Sequence, residues 1–279
     1  MAFMTEKYPL RIMTKIYEVV TLWEGFFMWM KTVSGRKIMG VMSILLAVVM
    51  MLGLIAGKYV STASVSRKLP IYSVQTDEKK VAITFDAAWT NQDTEELIKI
   101  LAKHNAKATF FIVGDWTEKF PESVKAFHDA GHTIANHSDT HKAFSKCSRE
   151  EIKEEIENCN KKLEAITGDK ITLLRAPSGD YTNESLEVAK SLGMETIQWN
   201  IDSLDYRELS VDEIVERVVS PVENGSIILF HNGVDNTAEA LDIILTKLSA
   251  EGYSFVSVND LIYKDNYYLD HTGKQHKQV

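Results

Sequence analysis

A chain of 279 residues and 31.5 kDa, 45% hydrophobic and 25% charged with 14 Gly and 5 Pro, is too apolar to be disordered and too poor in Gly and Pro to be fibrous. Its formal charge of −8 is unevenly spread: residues 1–68 hold nine Lys and Arg against three Asp and Glu, so the rest of the chain is strongly acidic. An acidic body argues against a nucleic-acid partner, which needs a basic face to neutralise phosphates, and two cysteines, Cys147 and Cys159, are too few for a disulfide framework or a structural zinc site.

The first element in chain order is a membrane span. Residues 38–56 are 19 consecutive uncharged residues, enough as a helix to cross a hydrocarbon core of about 30 Å, with Arg36 and Lys37 before them and Lys58 behind. This predicts a cytoplasmic segment over 1–37, a transmembrane anchor over 38–56 and a polar linker over 57–74, so that one helix makes the membrane a partner and the body lies outside the cytoplasm. Cleavage after Ala63 is the alternative, although the segment before the span is long for a signal peptide.

Beyond the linker, short β-branched runs alternate with charged amphipathic stretches. Strands are expected at 81–85, 108–113, 132–136, 172–175, 195–199, 226–230 and 254–256. Helices are expected at about 93–104, 117–130, 149–166, 183–191, 211–219 and 237–250. Ser148 with Glu151, and Ser210 with Glu213, read as capping boxes. The two cysteines stand twelve residues apart, before and within the third helix, about 18 Å of helix and far beyond disulfide reach. Repeated strand–helix alternation predicts an α/β fold with a parallel sheet, and no glycine-rich nucleotide motif follows any strand. The domain is expected over 75–264, with 265–279 left as a polar tail.

Polar residues collect at the strand ends: Asp86 after the first strand, His137 and His141 after the third, Arg175 after the fourth, Asp202 and Asp205 after the fifth, His231 after the sixth. In parallel barrels that face carries the active site. A single strand-end Asp is usually a turn former, but so many polar residues on one face are less easily dismissed. His137 and His141, four residues apart, are read as two imidazoles on one side of a helical turn, positioned to share a metal.

The segments TFDAAW (84–89), NHSDTH (136–141), RAPSG (175–179), DSLDY (202–206) and LFH (229–231), in this order, resemble the five motifs of the NodB-like polysaccharide deacetylases, carbohydrate esterase family 4. The resemblance implies a distorted seven-stranded (β/α) barrel that removes acetyl groups from N-acetylated amino sugars of a cell-wall glycan, peptidoglycan or chitooligosaccharide-like. It implies Asp86 as general base oriented by Arg175, His231 as general acid held by Asp205, and His137 and His141 as ligands of a divalent metal, Zn²⁺ or else Co²⁺. Leu229, Ser178, Tyr206 and Trp89 would contact substrate, with a backbone N–H near Ser178 facing the oxyanion. The variant first motif looks like that of the sporulation-associated deacetylases.

One departure bears on mechanism. The family's third metal ligand is an Asp that follows the base, and here that residue is Ala87. Asp139, Asp180 and Asp202 are the candidates to replace it. The competing reading is a glycan-binding pseudoenzyme that has kept the groove and lost the metal.

Overall fold

The computed structural model describes residues 67–278 continuously, together with residues 42–51 and Thr21, Glu24, Gly25, Met28 and Gly40. The chain divides into two compact units, Met1–Val65 and Ser66–Val279. In the first, residues 42–51 are helical and exposed. Among the described residues no helix is long and apolar enough to cross a membrane. The rest of the expected span, apart from Gly40, lies outside the described residues, as do most of the segment before it and the linker up to Ser66.

The second unit begins with β1 (Ser73–Val74) and β2 (Lys80–Ala87), then α1 (Thr94–Lys103), β3 (Ala108–Ile112), α2 (Gly114–Lys119), α3 (Pro121–Asp129) and β4 (Thr133–Asn136). It continues with α4 (Arg149–Thr167), β5 (Leu173–Leu174), α5 (Asn183–Ser191), β6 (Glu195–Thr196), β7 (Ile201–Asp202), α6 (Val211–Val219) and β8 (Ile227–His231). It closes with α7 (Thr237–Ala250), β9 (Ser254–Phe255), α8 (Val258–Leu261), β10 (Tyr267–Leu269) and β11 (Lys274–Lys277).

The main sheet is parallel, in the order β6-β5-β4-β3-β2-β8-β7, with β9 paired to the start of β2. The edges β6 and β7 do not pair with each other, so the architecture is a half-barrel and not a closed one. The single strand expected at 195–199 splits because its backbone groups find different partners: Ile197 N–H donates to Leu174, Gln198 N–H to Ile71, and Asn200 N–H to Ile227. The helix expected at 117–130 also splits. Phe120 at the junction has φ −132° and ψ 53°, and Pro121 disfavours the helical conformation in the residue before it.

Alternation along β2 separates two apolar layers. Val81, Ile83, Phe85 and Ala87 pack with Leu97, Leu101, Leu241 and Leu245 of the helices, whereas Ala82 belongs to a second cluster with Phe111, Ala135, Leu173, Ile197 and Ile227. Both capping boxes form, and a third, Thr182 with Ser185, opens α5. Cys147 and Cys159 are free thiols.

Residues 265–278 are not a loose tail. β10 and β11 form an antiparallel hairpin, and β11 pairs in parallel with β1. The polar composition conceals one buried anchor, Gln275, whose amide accepts from Tyr263 N–H and donates back to Tyr263 C=O.

Candidate active site

Parallel strands end together, and β2 sets Asp86 directly beside His231 of β8. Thr84 and Asp86, two residues apart, share the β2 face opposite Phe85. The Arg175 guanidinium, fully buried, donates from Nη1 to Asp86 Oδ1 at 2.7 Å and from Nη2 to Thr84 Oγ1 at 3.0 Å and Gln198 C=O at 3.1 Å. It also lies 4.0 Å over the Phe111 ring. Burial alone would raise the Asp86 pKa, but His137, Arg175 and His231 around it bring it below the ordinary carboxylate value. Asp86 is therefore ionised at neutral pH.

On the other wall, His231 Nδ1 lies 2.8 Å from Asp205 Oδ1, and Asp205 Oδ2 accepts from His231 N–H at 2.7 Å and Thr237 Oγ1 at 2.9 Å. This arrangement leaves Nε2 as the free ring nitrogen. Burial opposes the charge on His231, but the Asp205 hydrogen bond and the carboxylates of Asp86, Asp205 and Asp202 outweigh it and raise its pKa. Two aromatic rings flank the imidazole at centroid distances of 5.1 Å: Trp89 stacked at 22° and Tyr206 edge-on at 77°.

His137 and His141 do come together, their rings 5.0 Å apart, but not on a helical turn. The segment is a bend in which Ser138 and His141 adopt φ of 65° and 59°. It is held from outside: Ser138 N–H donates to Asn136 Oδ1, while Glu155 of α4 accepts from Asp139 N–H, Thr140 N–H and Thr140 Oγ1. His137 Nδ1 meets Arg175 C=O at 2.9 Å, which turns Nε2 to within 3.4 Å of Asp86 Oδ2. Burial drives the His137 pKa down to about 4, so this imidazole is neutral.

A cavity of about 230 Å³ joins the two walls, lined by Asp86, Ala88, Trp89, His137, His141, Ser178, Trp199, Asp202, Tyr206, Leu229 and His231. Nine residues expected from the sequence thus line it, Asp202 among them, and Arg175 and Asp205 stand behind it. The sequence reading missed Thr84, Thr237, Asn136, Trp199 and Glu155. Two of these carried a signal: Thr84 shares the pleat face of Asp86, and Glu155 sits among Ile152, Ile156 and Cys159 on the buried face of α4.

A family model for polysaccharide deacetylase matches residues 73–197. The peptidoglycan-N-acetylmuramic acid deacetylase PdaA of Bacillus subtilis is 31% identical over 197 residues, covering 69% of this chain and 75% of PdaA. The chain belongs to the polysaccharide deacetylases. These are hydrolases acting on the amide bonds of N-acetylated sugars, and they are generally metal-dependent. An uncharacterized B. subtilis protein, YlxY, is 33% identical over 69% of this chain, which spans 60% of YlxY's length. Among solved structures, BA3943 of Bacillus anthracis, described as a pseudoenzyme of carbohydrate esterase family 4, is 32% identical, with a TM-score of 0.68 over 76% of this chain and 73% of that one. A BA3943 mutant with restored enzymatic activity is similar at 34% identity and the same TM-score of 0.68.

The deacetylases' three-ligand metal set does not form here. Among the described residues no group of three His, Cys, Asp or Glu side chains could hold a metal ion. Ala87 offers no donor and is buried in the helix-facing apolar layer. The expected substitutes are engaged: Asp139 pairs with Lys162 at 2.7 Å, Asp180 accepts from Ser145 N–H and Oγ, and Asp202, although it lines the cavity, accepts from Leu204 N–H.

Proposed function

We propose that this deacetylase-family chain removes acetyl groups from the N-acetylated amino sugars of peptidoglycan, spore peptidoglycan being the intended polymer, with the catalytic domain held outside the cytoplasmic membrane by residues 38–56. One observation carries the chemistry: a carboxylate and an imidazole, shifted in opposite directions, face one small cavity, each braced by its own buried partner. A water adds to the acetamide carbonyl carbon as its proton passes to Asp86. As the C–N bond breaks, His231 Nε2 delivers a proton to the leaving amine, giving acetate and the free amino sugar. Leu229 and Trp199 give the acetyl methyl an apolar wall, and Trp89 and Tyr206, 48% and 43% exposed, offer ring faces to the sugar.

Ala87 favours a second reading, a glycan-binding protein without turnover. A binding module would not need a paired base and acid, which is why the first reading leads. Acetate release and binding are measured on muropeptides and chitooligosaccharides, with the protein metal-stripped and then loaded with zinc or cobalt. Acetate release supports the deacetylase, binding without release supports the second reading, and neither defeats both.

A further inference from the structure

Asp93 lies outside the cavity lining yet is a buried carboxylate in an unusual state. It occupies the position before α1 where an Asp ordinarily caps the helix, but it makes no capping bond. Its Oδ2 accepts instead from Gly233 N–H at 2.6 Å, 140 residues away, and its Oδ1 is buried without a partner among the described residues. Asn232 mirrors it: Nδ2 donates to Thr90 C=O at 2.8 Å, and Oδ1 is buried without a partner among the described residues. Thr90 Oγ1 and Gln92 Nε2 both donate to Gly233 C=O, and Trp116 Nε1 donates to Thr90 C=O. Gly233 has φ +71°, and a Cβ there would fall 2.2 Å from Thr90 Oγ1.

The loop after the base strand is thereby fastened to the loop after the acid strand, and Trp89 sits within the first while His231 immediately precedes the second. We infer that Asp93 is a positioning residue that latches these two loops and so holds the Trp89 indole against the His231 imidazole as one wall of the sugar site. The sugar-site clause rests on the deacetylase reading, whereas the latch does not. Burial raises the Asp93 pKa, with Glu96 and Asp205 adding to it against the Gly233 N–H, and Asn is the conservative substitute because its amide oxygen can still accept from Gly233 N–H.

The full chain is compared with Asp93→Ala and Asp93→Asn by the pH titration of Trp89 emission, isolated by subtracting Trp89→Phe, because a protonated imidazole stacked on an indole quenches it. Binding of an N-acetylglucosamine oligomer is measured alongside. Asp93→Ala is expected to abolish the titration of the Trp89 signal and weaken oligomer binding about tenfold, the loss of one aromatic platform, with Asp93→Asn recovering both. A folded Asp93→Ala with parental emission and affinity overturns the inference, as does a fall in melting temperature alone. If Asp93→Ala does not fold, Asn232→Ala, which removes the bond to Thr90, is judged by the same two readouts. If the parent neither binds the oligomer nor releases acetate, the deacetylase reading falls, and the Trp89 titration alone decides the latch.

Discussion

The two walls of the cavity differ in how completely their polar groups are used. On the His231 wall Asp205 takes His231 Nδ1, His231 N–H, Thr237 Oγ1 and Tyr206 N–H, so that both carboxylate oxygens are engaged. On the opposite wall two imidazoles stand together, and the position that should bring a third ligand is a methyl group packed against apolar neighbours. The Asp86 and His231 side chains are therefore fully braced, whereas the two imidazoles of His137 and His141 have no third ligating group beside them among the described residues. Buried hydrogen-bonded pairs are costly to break singly, since each partner strands the other, whereas a buried methyl at position 87 leaves no polar group without a partner.

The largest effect is expected for Asp86→Asn. Acetate release should fall about 10²-fold or more, as for loss of a general base. The variant also leaves the buried Arg175 without its counter-charge, at a cost of about 3 kcal/mol in denaturant unfolding. Activity within a factor of two of the parent would remove Asp86 from the reaction and with it the contrast between the walls.

Asp205→Asn tests the other wall. Asp86, with its lowered pKa, is active above that value, and His231, with its raised pKa, is active below its own, so the parent's profile is a bell whose alkaline limb belongs to His231. Removing the Asp205 charge lowers the His231 pKa, which pulls the alkaline limb toward neutrality and reduces kcat about tenfold or more while leaving the acid limb in place. A profile unchanged on the alkaline side would show that His231 does not supply the proton.

Most of this site was legible in the sequence because it lies where periodicity is simple. Asp86 and His231 lie at the C-terminal ends of buried parallel strands whose apolar runs are plain, and α5, α6 and α7 fall at 183–191, 211–219 and 237–250 as their 3.6-residue pattern predicts. What was not legible depends on distant partners. The strand at 195–199 breaks because three different segments share its backbone groups, and the hairpin at 267–277 is ordered by Gln275, a polar residue that composition assigns to solvent. The imidazole pair reads as helical from its spacing, yet left-handed Ser138 and His141 bring the rings together.

Ala87→Asp sharpens the comparison on the weaker wall. Position 87 faces the helix-side layer with Phe85, so a carboxylate there is buried without a partner and should lower stability by about 1–3 kcal/mol in metal-free buffer. Recovery of that loss on adding zinc, and only with His137 and His141 intact, would show that one methyl separates this cavity from a complete ligand set. Destabilisation that zinc does not relieve would place position 87 out of reach of the histidines.

The smallest effect concerns what holds the imidazole loop. Glu155 is buried at the back of the bend, where its two oxygens receive Asp139 N–H, Thr140 N–H and Thr140 Oγ1, with Lys142 at 3.1 Å. Burial would raise its pKa, but these donors more than compensate and hold it below the ordinary glutamate value. A carboxyl depressed in the folded state adds stability that is present above the unfolded pKa and disappears as pH falls through the folded one. Glu155→Gln puts an amide donor where one of two acceptor oxygens is needed, so it should cost about 1–2 kcal/mol at pH 7, and the gap from the parent should narrow on acidification below about pH 4. Thermal unfolding across that range checks the sign. Because Glu155 touches the loop and not the cavity, the same variant should disturb the His137–His141 pair while leaving the alkaline limb set by His231 where it was. A shift of that limb would mean that the two walls are coupled through α4 and are not the independent halves described above.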